Sequence, residues 1–274
     1  MTREAAARRM VQCCRQLAAR GLMPGQDGNL SVRLGSDRAL VTPTGFIKAL
    51  VRPADMVEVD LRGRVRRGRR KPTSELDLHL RILRCRPDVG AVVHAHPPTA
   101  TGFAVAGEGF ETFVLPELIF QVGRVPLVPY GTPGTRELGE RVEPYLGDHH
   151  ALLLANHGAV AYGPDLEMAF ARMETLEHFA KITLVARMVG RPHELPPEAI
   201  EKLLDVRERA GYMPPGARGC QACGFTQGHA STCAVGSATR SYGTNGDDTV
   251  TLTRKELTKL ITEAARLVAR EMKQ

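Results

Sequence analysis

No run of apolar residues in this 274-residue chain approaches the roughly 20 that a membrane-spanning helix needs, so no such helix is expected. The N-terminal segment, residues 1–22, also lacks an uninterrupted apolar core and a cleavage pattern, because arginines are spread through its alanine-rich sequence. It reads as a helix of the mature protein and not as a signal peptide, and a cytoplasmic location is the default expectation. Aromatic residues are missing from the densest basic stretch, residues 62–71 (RGRVRRGRRK). With no aromatic interleaving and no recognisable nucleic-acid module, nucleic acid is not an expected partner. Glycines 63 and 68 instead give that stretch the look of a hairpin with a charged, solvated tip. The net charge of +7 is compatible with an anionic substrate but does not require one.

Hydrophobic residues make up 43% of the chain and charged residues 24%, ordinary for a globular protein. The length suits one large domain, or one domain with an appendage. Residues 3–21 carry Ala6, Met10, Val11, Cys14 and Leu17 at helical spacing. Leu30, Val32 and Leu34 alternate as a strand; residues 38–42 read as its return and 56–61 as another strand. A helix is predicted from residues 73–75 onward, with Ser74 or Thr73 as N-cap and Asp77 completing a weak capping box. Further helices are expected over 98–106, 136–146 and 166–189, the last capped by Asp165. Strands are expected near 112–115, 125–128 and 151–155. Cys13, Cys14 and Cys85 fall in helical patterns and read as reduced packing residues.

The chemistry-bearing stretch is Ala91-Val92-Val93-His94-Ala95-His96-Pro97. Alternate side chains of a strand share a face, so His94 and His96 can aim at one point. A metal ion accounts for the pair; so does a solvated or hydrogen-bonded strand end. His157, between a buried strand and Gly158, is again well placed to be a ligand. His149, His150 and His178 read as bystanders. Glu75 at a helix start can simply complement the helix dipole, or serve as metal ligand or general base. Glycine loops at 28–29 and 44–45 and the Thr73-Ser74 helix start are each ordinary turn and cap chemistry, but together they could cradle a phosphate.

Five motifs in order, Gly28-Asn29-Leu30-Ser31, Thr42-Pro43-Thr44-Gly45, Thr73-Ser74-Glu75, His94-Ala95-His96 and Asn156-His157-Gly158, make residues 4–210 resemble the metal-dependent class II aldolase/adducin family, and within it most the aldolases that act on L-fuculose 1-phosphate. The resemblance implies a three-layer α/β/α fold with a mainly antiparallel sheet and a homotetramer with active sites near subunit interfaces. It implies one Zn²⁺ per subunit on His94, His96 and His157. Glu75 would be a fourth ligand that moves off to act as base. Gly28, Asn29, Thr44, Gly45, Thr73 and Ser74 would hold the substrate phosphate. The implied activity is cleavage of L-fuculose- or L-rhamnulose-1-phosphate into dihydroxyacetone phosphate and lactaldehyde. A sister epimerase type has aspartate where Glu75 stands, which favours an aldolase over an epimerase; an epimerase or a dehydratase on the same scaffold is the alternative reading. The candidate metal ligands argue against a non-catalytic, adducin-like interaction protein. One departure concerns the family tyrosine that protonates the leaving alkoxide, since no tyrosine lies between His96 and Tyr130. Tyr212 is the candidate for a second family tyrosine.

From residue 211 the composition changes. Residues 211–250 read as a flexible linker. Cys220, Cys223, His229 and Cys233 within it are either loose thiols or a second metal site. Residues 251–274 read as an amphipathic helix with a Thr253/Glu256 capping box, whose apolar stripe would pack back on its own domain, dock on a partner or lie on a membrane surface. This arrangement resembles the encapsulation peptides of bacterial microcompartments, which implies docking on a shell protein and a microcompartment lumen as the location.

Overall fold

The computed structural model describes residues 2–111 and 113–214. The expected linker cysteines and the 251–274 helix lie outside these residues.

Eight strands form one sheet in the order β4-β3-β2-β1-β5-β8-β7-β6. They are β1 (Asn29–Leu34), β2 (Arg38–Val41), β3 (Val57–Asp60), β4 (Val65–Arg67), β5 (Ala91–Ala95), β6 (Leu127–Val128), β7 (Ala151–Leu154) and β8 (Gly158–Gly163). Every pairing is antiparallel except β6 with β7. Strand β5 runs in the centre, between β1 and β8. Both of its faces are covered, which is why it reads as a continuous apolar run. Ala91, Val93 and Ala95 enter one core with α1 (Arg3–Ala19), α3 (Pro98–Val105) and α6 (Leu166–Val189). Val92 enters the opposite core, with α2 (Leu76–Cys85) and α5 (Arg136–Val142). The result is the three-layer α/β/α fold with a mainly antiparallel sheet. Among the described residues, no helix is long and apolar enough to cross a membrane.

The basic stretch does form a hairpin. Asp60 accepts from the backbone N–H groups of Arg62 and Arg64 at the turn, and the exposed edge strand β4 follows. Elsewhere the structure corrects the sequence reading. No strand forms over residues 113–115. Phe113 packs instead with Ile119 of α4 (Pro116–Gln121) and with Ile200 and Leu204 of α7 (Pro197–Arg209). Neither α4 nor α7 was anticipated. Helix α5 stops at Val142 and tightens into a 3₁₀ turn, Glu143–Tyr145. Cys13 and Cys14 are buried as expected, but Cys85 is exposed. The N-cap of α2 is Glu75, not Ser74 or Thr73, and no side chain caps the helix. Asp77 bonds to Arg81 one turn later and closes no box with Ser74. That frees the Glu75 carboxylate to turn into the protein.

Candidate active site

Strand alternation and pairing register place the first residues of the site. Asn29 stands directly opposite His94 in the β1–β5 pair, so both side chains rise from the sheet face that α2 covers. Asn29 and Ser31, two apart on the strand, meet Glu75 and His79, four apart on the helix. The Asn29 amide Nδ2 donates to Glu75 Oε2 at 2.8 Å. His79 Nε2 lies against Asn29 Oδ1, and His79 Nδ1 is 2.7 Å from Ser31 Oγ. Asn29, Ser31, Glu75 and His79 are all buried.

His96 directly follows β5, and its N–H donates to the Leu22 carbonyl at 2.9 Å. His157 arrives from the β7–β8 turn. That turn is made possible by Asn156 in the left-handed region (φ 56°), which asparagine tolerates better than most side chains. Ligand nitrogens of His94, His96 and His157 all lie within 4.8 Å of one another. The Nε2 atoms of His94 and His96 are 3.2 Å apart. Glu75 Oε2 is 3.1 Å from His94 Nε2, and Glu75 Oε1 is 3.5 Å from His157 Nε2.

These spacings fit a metal ion. Tetrahedral ligands on Zn–N bonds of about 2.0–2.1 Å sit about 3.3 Å apart. The donor chemistry agrees. His94 Nδ1–H is committed to the Ala159 carbonyl at 2.9 Å, so its Nε2 presents a lone pair. His96 Nδ1 faces Asp27 at 3.5 Å, an arrangement that supports a metal-binding Nε2. Glu75 Oε1 is buried without a hydrogen-bond partner, and a buried orphan of that kind calls for a cation. Burial pushes the Glu75 carboxyl up, but His94, His157 and the Asn29 amide outweigh it and hold the carboxylate far below its usual range. Burial and the neighbouring His94 push His157 down to about 3 and also lower His96, so both rings are neutral at pH 7, as ligands must be. Burial lowers His94 as well, but the Glu75 carboxylate reverses this and leaves it raised.

The expected phosphate-holding segments are also brought together. Thr73 N donates to Thr42 O, and Thr44 N to Lys71 O, so the 42–45 and 71–74 segments run side by side. Lys48, almost fully buried, donates Nζ to the carbonyls of Gln26 (2.6 Å) and Phe46 (3.0 Å), which ties the 25–28 loop to the 44–47 loop. Thr44, Gly45 and Ser74 are exposed, whereas Asn29 and Thr73 are buried. The Thr73 hydroxyl accepts from Glu75 N at 3.3 Å. Gly28 has φ +69°, and a Cβ there would lie 2.8 Å from the His94 carbonyl and 2.9 Å from Met23. The glycine thus lets the loop press against the metal-ligand strand.

Tyr212 is placed elsewhere in this protomer. Its ring packs edge-on against Phe120, and its carbonyl accepts from His150 Nε2 (2.9 Å) and Arg207 Nε (3.2 Å). His150 precedes β7 while His157 follows it, so Tyr212 sits at the other end of that strand from the histidine cluster. His149 and His150 each bond a backbone carbonyl, and His178 is exposed. Sequence reasoning missed His79, Asp27, Lys48 and Glu177. The Glu177 carboxylate, on α6, accepts from Thr99 N, Thr99 Oγ1 and Ala100 N and so caps α3 just after His96. A histidine four residues after Glu75 was the one legible signal for His79; the others depend on long-range packing.

Fold and site together define a lyase scaffold with a carboxylate and a metal-competent histidine triad at one sheet end. Residues 8–184 match the Class II Aldolase and Adducin N-terminal domain, and the chain belongs to that family. It is 36% identical over 202 residues to a 5-deoxy-D-ribulose 1-phosphate aldolase of Bacillus thuringiensis, covering 73% of this chain and 93% of that protein. It is 36% identical over 181 residues to a 3-oxo-tetronate 4-phosphate decarboxylase of Pectobacterium atrosepticum, covering 64% and 82%. A solved L-fuculose 1-phosphate aldolase superposes with a TM-score of 0.70 at 31% identity, covering 74% and 96%.

Proposed function

We propose that this chain is a Zn²⁺-dependent aldolase, with one ion per subunit on His94, His96, His157 and Glu75. It splits L-fuculose- or L-rhamnulose-1-phosphate into dihydroxyacetone phosphate and lactaldehyde. The observation that carries the reading is the convergence of three imidazoles and a buried carboxylate beside loop segments stitched together by backbone bonds and Lys48. When bound, the metal supplies an electrophile that withdraws charge from the substrate carbonyl. The protein's own groups do the rest. Gly28, Asn29, Thr44, Gly45, Thr73 and Ser74 hold the phosphate and so fix the reacting carbons. Glu75, anchored through Oε2, keeps Oε1 free to move a proton at the carbon beside the carbonyl. Tyr212 is proposed as an acid toward a neighbouring protomer's site in a homotetramer, since within its own protomer it packs on Phe120.

A second reading is decarboxylation of a phosphorylated 3-oxo sugar acid. It breaks a carbon–carbon bond beside a carbonyl with the same electron sink, and it is favoured by the likeness to the Pectobacterium decarboxylase. A panel of sugar phosphates and phosphorylated oxo-acids, assayed with and without chelator and with Zn²⁺ restored, decides between the two. Release of dihydroxyacetone phosphate that stops with chelator and returns with Zn²⁺ supports the aldolase; turnover indifferent to chelation sinks it.

Residues 251–274 are proposed to dock on a microcompartment shell protein. Deleting them should leave turnover intact and abolish co-purification with shell protein; unaltered co-purification refutes the docking.

A further inference from the structure

We infer that His79 is a positioning residue: as the neutral Nε2–H tautomer it orients the Asn29 amide so that Asn29 donates to Glu75 and holds one carboxylate oxygen in place. This builds on the reading of Glu75 given under the proposed function.

The assignment follows from donor and acceptor capacity along one buried line. Glu75 is ionised, so its oxygens only accept. The Asn29 atom 2.8 Å from Glu75 Oε2 must therefore be the amide nitrogen. The amide oxygen then faces His79 Nε2, and only a protonated Nε2 can satisfy it. Both nitrogens of this fully buried ring face uncharged partners, Asn29 and Ser31, and a buried imidazolium without a counter-charge is costly, so the ring is neutral. Its Nδ1 therefore accepts, and the only proton available for the 2.7 Å contact is the Ser31 hydroxyl's. Each bond in the line, Ser31 to His79 to Asn29 to Glu75, thus has one permitted direction.

The order has a consequence for both neighbours. The Asn29 nitrogen carries two N–H groups. One is spent on Glu75 and the other remains for the substrate phosphate. A flipped amide would set a carbonyl oxygen against the carboxylate and turn both donors away. With Oε2 fixed, Glu75 keeps Oε1 free on the His157 side. Helix and strand geometry make the line possible, since residues 75 and 79 lie one helical turn apart above strand positions 29 and 31.

The test uses the full chain. In ¹⁵N-histidine-labelled protein without added metal, the imidazole resonance lost in His79→Gln is expected to be a neutral Nε2–H ring, slow to exchange at pH 7. A Nδ1–H or cationic ring overturns the inference. In the Zn²⁺-loaded enzyme, His79→Phe is expected to lower kcat about 10- to 100-fold and to raise KM as Asn29 loses its aim at the phosphate, with one metal per chain retained. His79→Gln, whose amide can return an N–H to Asn29, should recover most of that loss. Unchanged kcat in His79→Phe, or equal losses of kcat in the two variants, overturns it. If the chain cleaves no sugar phosphate, the proposed function falls, while the tautomer measurement still decides the role of His79.

Discussion

Asn29 and Glu75, forty-six residues apart, meet through a buried 2.8 Å hydrogen bond between amide and carboxylate. The bond fixes one oxygen of the carboxylate and leaves the other toward His157. Charge at this point is therefore sharply specified. Asn29→Asp would set two buried acceptors against each other, and its kcat is expected to fall at least tenfold. Wild-type turnover in that variant would remove Asn29 from the account of Glu75.

Glu75→Gln keeps the shape and removes the base. Turnover should fall about 10²- to 10⁴-fold, while substrate-analogue affinity stays within about tenfold. Steady-state kinetics with calorimetric binding checks this. Retained turnover would assign proton movement to another group.

Gly158 lies where a Cβ would come within 2.6 Å of the Ala95 carbonyl and 2.7 Å of the His96 ring. Gly158→Ala must displace His96 from the other ligands. The fold should survive, with metal content measured by plasma mass spectrometry well below the wild-type ratio. Full metal loading in a folded variant would show that His96 is not needed where it stands.

Glu177 caps α3 from a distant helix. Glu177→Ala leaves the N–H groups of Thr99 and Ala100 without their buried acceptor, at an expected cost of about 1–3 kcal/mol. Urea denaturation measures it. A change under about 0.5 kcal/mol would mean water replaces the carboxylate without loss.

His150 sets an acid limit. Burial, then the Arg172 and Arg207 charges, hold its ring down to about 2 against an ordinary 6.5. Between those values the unfolded chain binds a proton that the folded one refuses. The contribution is complete above pH 6.5 and is lost as the pH falls below it, by up to about 1.4 kcal/mol per unit. His150→Gln should flatten the stability curve between pH 6.5 and 5. An unchanged slope would place the acid sensitivity elsewhere.

Residue order alone carried a good part of this picture. The i, i+2 spacing of His94 and His96 on an apolar run already let both rings aim at one point, because strand periodicity is local, although β5 ends at Ala95 and His96 lies just past it. The amphipathic spacing of α1 and the Asp165 start of α6 were equally local and appear where the pattern put them. The missing strand at 113–115 and the unanticipated α4 and α7 have the opposite cause. Phe113, Ile119, Ile200 and Leu204 find one another only after the chain has folded back over about 90 residues, and short apolar segments take whichever form that packing favours. Ser74 was a plausible cap by composition, but Asn29 and His94 draw Glu75 inward, and the helix begins after it. The roles of Lys48 and Glu177 belong wholly to the tertiary structure, and for His79 the sequence offered only its spacing from Glu75. Each is a polar group whose meaning lies in a partner 20 or more residues away, and what they do follows from burial, which leaves every such group obliged to find that partner.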